Sequence, residues 1–90
     1  MISPLAHIHK DAQIGNNVKI DAFAVIEEGV AIGDHSHIMS HSVVMSNSIV
    51  GKSCRIFPGA VIGAIPQDLK FDGEDTFVEI VDHTTIRESV

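Results

Sequence analysis

The chain has 90 residues, with 12 acidic against 6 basic side chains for a formal charge of −6, 44% hydrophobic but only 4% aromatic residues, and one cysteine. The acidic balance and the absence of any run of basic residues exclude nucleic acid as the main partner, and a single Cys excludes an intrachain disulfide and fits a reducing compartment. Neither a basic and then apolar leader nor a run of eighteen apolar residues occurs, so the sequence predicts no secretion signal, no membrane span and a cytoplasmic location.

From its second residue the chain places a branched aliphatic side chain at every sixth position: Ile2, Ile8, Ile14, Ile20, Ile26, Ile32, Ile38, Val44, Val50, Ile56 and Ile62. Six residues turn an α-helix by about 600°, or 240° net, so a helix would scatter these residues round its circumference. A second column lies four places after the first: Ala6, Ala12, Val18, Ala24, Val30, Ser36, Ser42, Ser48, Cys54 and Ala60, all small or modest in size. Gly15, Gly33, Gly51 and Gly63 directly follow an aliphatic residue and mark a tight or solvated corner. A six-residue repeat of this kind predicts an all-β fold, a parallel β-helix in which each hexad is a short strand and a turn and three hexads close one triangular coil. Residues eighteen apart then stack at about 4.8 Å, as Ile14, Ile32 and Val50 would, or Ile20, Ile38 and Ile56. Cys54, at the small inward place, reads as a buried core thiol.

Pro4 opens the first coil at an edge, where a missing N–H costs least. His7, His9, Lys10 and Asp11 make that end polar, as a capping repeat requires. Phe23 and His41, eighteen apart, predict a stacked outward pair. Lys19, His37 and Arg55 follow the same rule and predict a weakly basic vertical ladder, open to an acidic partner or plain surface. Six histidines, densest around His35, His37 and His41, raise a metal site. Residues six apart lie on neighbouring faces, however, and zinc needs three or four ligands around one point. The expectation is therefore no metal and no cofactor within the chain.

At Ile65 the pattern breaks. Asp68 and Glu74 fall where aliphatic residues are due, and a prism interior cannot bury them unpaired. Ile80 and Ile86 resume the column, leaving either a coil with two disfigured hexads or a loop thrown outward. Pro66 and the run Asp72-Gly73-Glu74-Asp75 favour a protruding loop at about 66–79, and loops on a rigid scaffold are where ligand contacts concentrate. The chain then stops in mid-coil without a polar cap, which leaves strand edges open. Residues 1–90 are expected to be the N-terminal part of a β-helix domain, a truncated solenoid.

The hexads, together with Arg55-Ile56-Phe57-Pro58-Gly59-Ala60, Ile65-Pro66-Gln67-Asp68-Leu69-Lys70-Phe71 and Thr85-Ile86-Arg87-Glu88, resemble the UDP-N-acetylglucosamine O-acyltransferases of lipid A synthesis. Hexads alone are shared with acetyltransferases, nucleotidyltransferase tails and γ-class carbonic anhydrases; the Pro-Gln-Asp-Leu-Lys loop in register with Ile-Arg-Glu is far more specific. The resemblance implies a left-handed β-helix, against the usual crossover hand, in a homotrimer with active sites between subunits. It implies transfer of a 3-hydroxyacyl group from acyl carrier protein to the 3-hydroxyl of UDP-N-acetylglucosamine. Gln67, Asp68 and Lys70 carry over as substrate-binding residues, an amide and a carboxylate for hydroxyl and N-acetyl groups and an ammonium to offset phosphate charge. The family's general base is a histidine several hexads beyond Ile-Arg-Glu. None of the six histidines here matches it, so no catalytic residue is assigned and the chain alone is expected to be inactive. Two other classes stay open: a non-catalytic binding or trimerisation module, and a metalloenzyme like the γ-class carbonic anhydrases.

Overall fold

A computed structural model describes residues 1–63 and 78–88. Each hexad contributes one strand of two residues, the first facing out and the second being the column aliphatic. The strands are β1 (His7–Ile8), β2 (Gln13–Ile14), β3 (Lys19–Ile20), β4 (Val25–Ile26), β5 (Ala31–Ile32), β6 (His37–Ile38), β7 (Val43–Val44), β8 (Ile49–Val50), β9 (Arg55–Ile56), β10 (Val61–Ile62), β11 (Glu79–Ile80) and β12 (Thr85–Ile86). They form three parallel sheets, the faces of a triangular prism: β1-β4-β7-β10, β2-β5-β8-β11 and β3-β6-β9-β12. The fold is a left-handed parallel β-helix, and among the described residues no helix is long and apolar enough to cross a membrane.

The prism interior holds both sequence columns. Ile20, Ile26, Ile38, Val44, Val50 and Ile56 are fully buried, as are Ala24, Cys54, Ala60, Ser36, Ser42 and Ser48 at the small place. The column weakens at its start. Ile8 and Ile14 are only partly buried against the core, and Ile2 is 45% exposed although its backbone bridges to Ile20.

Buried hydroxyls need partners. The Ser36 hydroxyl donates to the Gly51 carbonyl at 2.7 Å and accepts the Cys54 N–H at 2.9 Å, tying two coils together. Ser42 donates to the Met39 carbonyl of its own corner. Ser48 Oγ has no partner among the described residues.

Each corner must turn the chain onto the next face, and the third residue after the column position does so in the left-handed region. Asn17, Phe23, His35, His41, Asn47, Ser53 and His83 have φ between 55° and 67°, and Gly29 and Gly59 have φ of 75° and 81°. Asn and Gly enter this region readily, whereas a bulky side chain enters it at roughly 1–2 kcal/mol. At Phe23 that cost is offset by packing: its ring lies 5.3 Å from the His41 ring one coil away, the stacked pair the eighteen-residue rule anticipates.

The register changes across the break in the repeat. Through the first coils, partners are eighteen apart, as in Ile32↔Val50. Val50, however, pairs with Ile80, thirty residues on, and Ile56 pairs with Ile86. Thirty instead of eighteen is an excess of twelve residues, two whole hexads. A coil of disfigured hexads would set Ile80 over Ile62; Ile80 lies over Val50 instead. Gly63, with φ of 92° at the first corner place, departs from the corner conformation where the insertion begins.

Candidate functional site

Gln67, Asp68 and Lys70 lie outside the described residues, as does most of the loop expected at about 66–79. What the structure fixes is the frame on either side. The chain leaves the first face after β10 and is back on the second face at β11, so the insertion belongs to the corner between these two faces. Glu79, the last residue of the expected loop, is already the first residue of β11.

Lower coils build that corner from His9-Lys10-Asp11, Glu27-Glu28-Gly29 and Met45-Ser46-Asn47. Glu27 Oε1 accepts the Ser46 N–H at 3.0 Å and the Ser46 hydroxyl at 3.3 Å, so this carboxylate joins adjacent coils. A shallow groove beside it is lined by His7, His9, Val25, Glu27, Glu28 and Ser46. Ser48 is buried directly under the start of the insertion; a Cβ on Gly63 would sit 2.4 Å from its hydroxyl. On the second face a shallow trough runs past Gln13, Ala31, Ile49 and Glu79 beside the glycines of the next corner.

That next corner shows why glycine recurs at its first place. Asp34 Oδ1 accepts the Asn16 N–H and Asp82 Oδ1 accepts the Lys52 N–H, both at 2.8 Å. Each carboxylate occupies the volume that a Cβ on Gly15 or Gly51 would need, 2.4 Å from the ideal position. A corner aspartate in one coil thus caps a backbone amide in the coil below, and glycine makes the room.

The histidines disperse. His7 is on the first face and His9 on the insertion's corner, while His35 and His83 share one corner and His41 takes another, as the spacing predicts for His35 and His41. His37 faces out from β6, its Nε2 2.9 Å from Asp21 Oδ2 and both groups about a third exposed. This imidazole–carboxylate pair is on the third face, opposite the corner between β10 and β11. Among the described residues no three His, Cys, Asp or Glu side chains are grouped to hold a metal ion. The Cys54 thiol is buried, 3.2 Å from the Val81 carbonyl.

One grouping escapes a reading of the sequence. The Arg87 guanidinium lies 4.6 Å from the centre of the Phe57 ring, with that of Arg55 at 5.6 Å. Residues 57 and 87 are thirty apart, so only the displaced register makes them vertical neighbours. The available signal was that both belong to the segments carrying the family resemblance.

Comparison with known proteins gives this frame a context. The family described as bacterial transferase hexapeptide (six repeats) matches residues 11–45. An acyl-[acyl-carrier-protein]–UDP-N-acetylglucosamine O-acyltransferase of Chlamydia caviae is 40% identical over 97% of the chain and 31% of its own length; one of Thermodesulfovibrio yellowstonii is 38% identical over all of the chain and 33% of its own. The crystal structure of a UDP-N-acetylglucosamine acyltransferase from Bacteroides fragilis superposes with a TM-score of 0.92 at 55% identity, over 98% of the chain and 34% of its own. The resemblance drawn from the hexads and the Pro-Gln-Asp-Leu-Lys and Ile-Arg-Glu segments therefore extends over nearly the whole chain, which spans about a third of the length of these relatives.

Proposed function

We propose that these residues are the N-terminal portion of an acyltransferase that moves a 3-hydroxyacyl group from acyl carrier protein to the 3-hydroxyl of UDP-N-acetylglucosamine, the first step of lipid A synthesis. The observation that carries this reading is the 55% identity and 0.92 TM-score to the Bacteroides fragilis acyltransferase. The displaced register supports it, because Ile80 stacks on Val50, twelve residues beyond the ordinary spacing, and the added residues include the Pro-Gln-Asp-Leu-Lys segment that carries the resemblance. The enzyme works in the cytoplasm as a homotrimer.

In the transfer, the sugar hydroxyl attacks the thioester carbonyl carbon while a base takes its proton. The new C–O bond forms, the C–S bond breaks, and the leaving thiolate is protonated. Gln67 and Asp68 hold hydroxyl and N-acetyl groups of the substrates, and the Lys70 ammonium offsets charge on the diphosphate. The base is a histidine other than the six here. His37 is held by Asp21 on the far face, and His9, on the correct corner, lies three coils from the insertion, about 14 Å at strand spacing.

In the whole enzyme, Asp68→Ala is expected to lower kcat/KM for the sugar nucleotide by roughly 10- to 100-fold, the loss of a charged hydrogen bond at a desolvated site, with the unfolding midpoint unchanged. Wild-type kinetics in this variant would remove Asp68 from the site. Acyl transfer by residues 1–90 alone would overturn the assignment of the base, and sugar-nucleotide binding without turnover by the whole protein would favour a binding module.

A further inference from the structure

Among the described residues the small inward column carries hydroxyls at Ser36, Ser42, Ser48 and Thr84. Ser36 donates to the Gly51 carbonyl, Ser42 to that of Met39 and Thr84 to that of Val81, but Ser48 reaches no partner there. The corner before Ser48 is built like the one before Ser42: the Ser48 N–H donates to the Met45 carbonyl, and the Ser42 N–H to the Met39 carbonyl, both at 3.3 Å. An acceptor three residues back is therefore on hand, yet the Ser48 hydroxyl turns away from it. Ser48 is 0% exposed and stacks between Val30 and Val78, apolar neighbours that give a hydroxyl nothing in return for the water it has lost.

The hydroxyl points instead at Gly63, the residue at which the repeat breaks. A Cβ on Gly63 would overlap Ser48 Oγ, whereas the next atoms, Met45 Cβ and the Met45 carbonyl oxygen, stand 3.4 and 3.8 Å away at ordinary contact distance. The hydroxyl alone thus fills the room that a side chain at position 63 would take. Gly63 also has φ of 92°, a backbone conformation that a residue with a Cβ rarely adopts. Two independent features, an inward hydroxyl turned from its usual acceptor and a glycine in the left-handed region, therefore meet at one point. Gln67, Asp68 and Lys70 follow four, five and seven residues later in the chain.

We propose that Ser48 is a positioning residue for the sugar-nucleotide site: with Gly63 it sets the point and direction at which the main chain leaves the stacked coils for the segment bearing Gln67, Asp68 and Lys70. The proposal rests on the acyltransferase reading above. Its test is the steady-state kinetics of the whole enzyme with Ser48→Ala, Gly63→Ala and the two combined, beside urea unfolding of each. Alanine already fills the small place at Ala24 and Ala60, so Ser48→Ala should leave the unfolding midpoint unchanged. It should raise KM for UDP-N-acetylglucosamine about threefold to tenfold, the loss of one net hydrogen bond, while kcat and KM for the acyl carrier protein substrate stay at their wild-type values. Gly63→Ala drives the hydroxyl from the same point and should raise the same KM, and the double variant should be no worse than the poorer single one. A merely structural role gives the opposite pattern, a lower midpoint and less active enzyme at constant KM, and that result overturns the proposal, as does a wild-type KM in Ser48→Ala. Absence of acyl transfer by the wild-type whole enzyme would instead overturn the acyltransferase reading, and the positioning role with it.

Discussion

Gly33→Ala is expected to destabilise the protein by about 3 kcal/mol, the upper part of the usual range for overpacking, and to lower its melting temperature by roughly 10–20 °C. A Cβ at this position would stand 2.6 Å from the carbonyl carbon of Gly51, 2.7 Å from its oxygen and 2.7 Å from the Lys52 nitrogen. These are backbone atoms and cannot rotate away. They are also fixed from above, since the Gly51 N–H donates to the Ile80 carbonyl and the Lys52 N–H to Asp82. Relief requires the coils to separate, which breaks the ladder. Gly59 supplies the contrast: its Cβ would meet nothing closer than 3.8 Å, but its φ is 81°. Gly59→Ala should cost only the backbone term, about 1–2 kcal/mol. Urea unfolding of both variants measures the difference, and a Gly33→Ala cost below that of Gly59→Ala would mean that the corners are not packed backbone to backbone.

Ile38→Ala should cost about 3–4 kcal/mol. Ile38 is 0% exposed and sits in register between Ile20 and Ile56, where a shortened side chain leaves a cavity that neighbouring coils cannot collapse to fill. The identical substitution at Ile2, 45% exposed at the end of the same ladder, should cost less than about 1 kcal/mol. Denaturant unfolding of the two variants gives the comparison. Equal costs would show that the stack does not have one continuous interior.

Much of this fold is legible in the sequence because the period of six is a direct image of the prism: a column such as Ile20, Ile38 and Ile56 records one interior edge, and the small column records the space left beside it. The Phe23–His41 stack and the Lys19, His37 and Arg55 ladder follow by adding eighteen. The left-handed corner place was open to the same reading, since Asn17, Asn47, Gly29 and Gly59 all occupy it, but His35, His41 and Phe23 obscured the preference. The displaced register was not legible, for a geometric reason. An insertion of twelve residues is two complete hexads, so Ile80 and Ile86 keep the phase of the column wherever they stack, and only the pairing of Ile80 with Val50 separates the alternatives. The Arg87–Phe57 contact was hidden by the same ambiguity. Gln67, Asp68 and Lys70 were reached through the family resemblance and their position in the interrupted segment, since side chains that leave a repeat no longer carry its spatial code.

The functional proposal depends on those three residues standing outside the stacked coils, and the register is its most direct test. Hydrogen-bond scalar couplings in 15N,13C-labelled protein identify which amide the Ile80 carbonyl accepts. A coupling to the Gly51 nitrogen, across the 2.8 Å contact in the structure, is the result expected. A coupling from Ile80 to the Gly63 nitrogen would restore the eighteen-residue stack, return Asp68 to a column position, and contradict the assignment of Gln67, Asp68 and Lys70 to a substrate site.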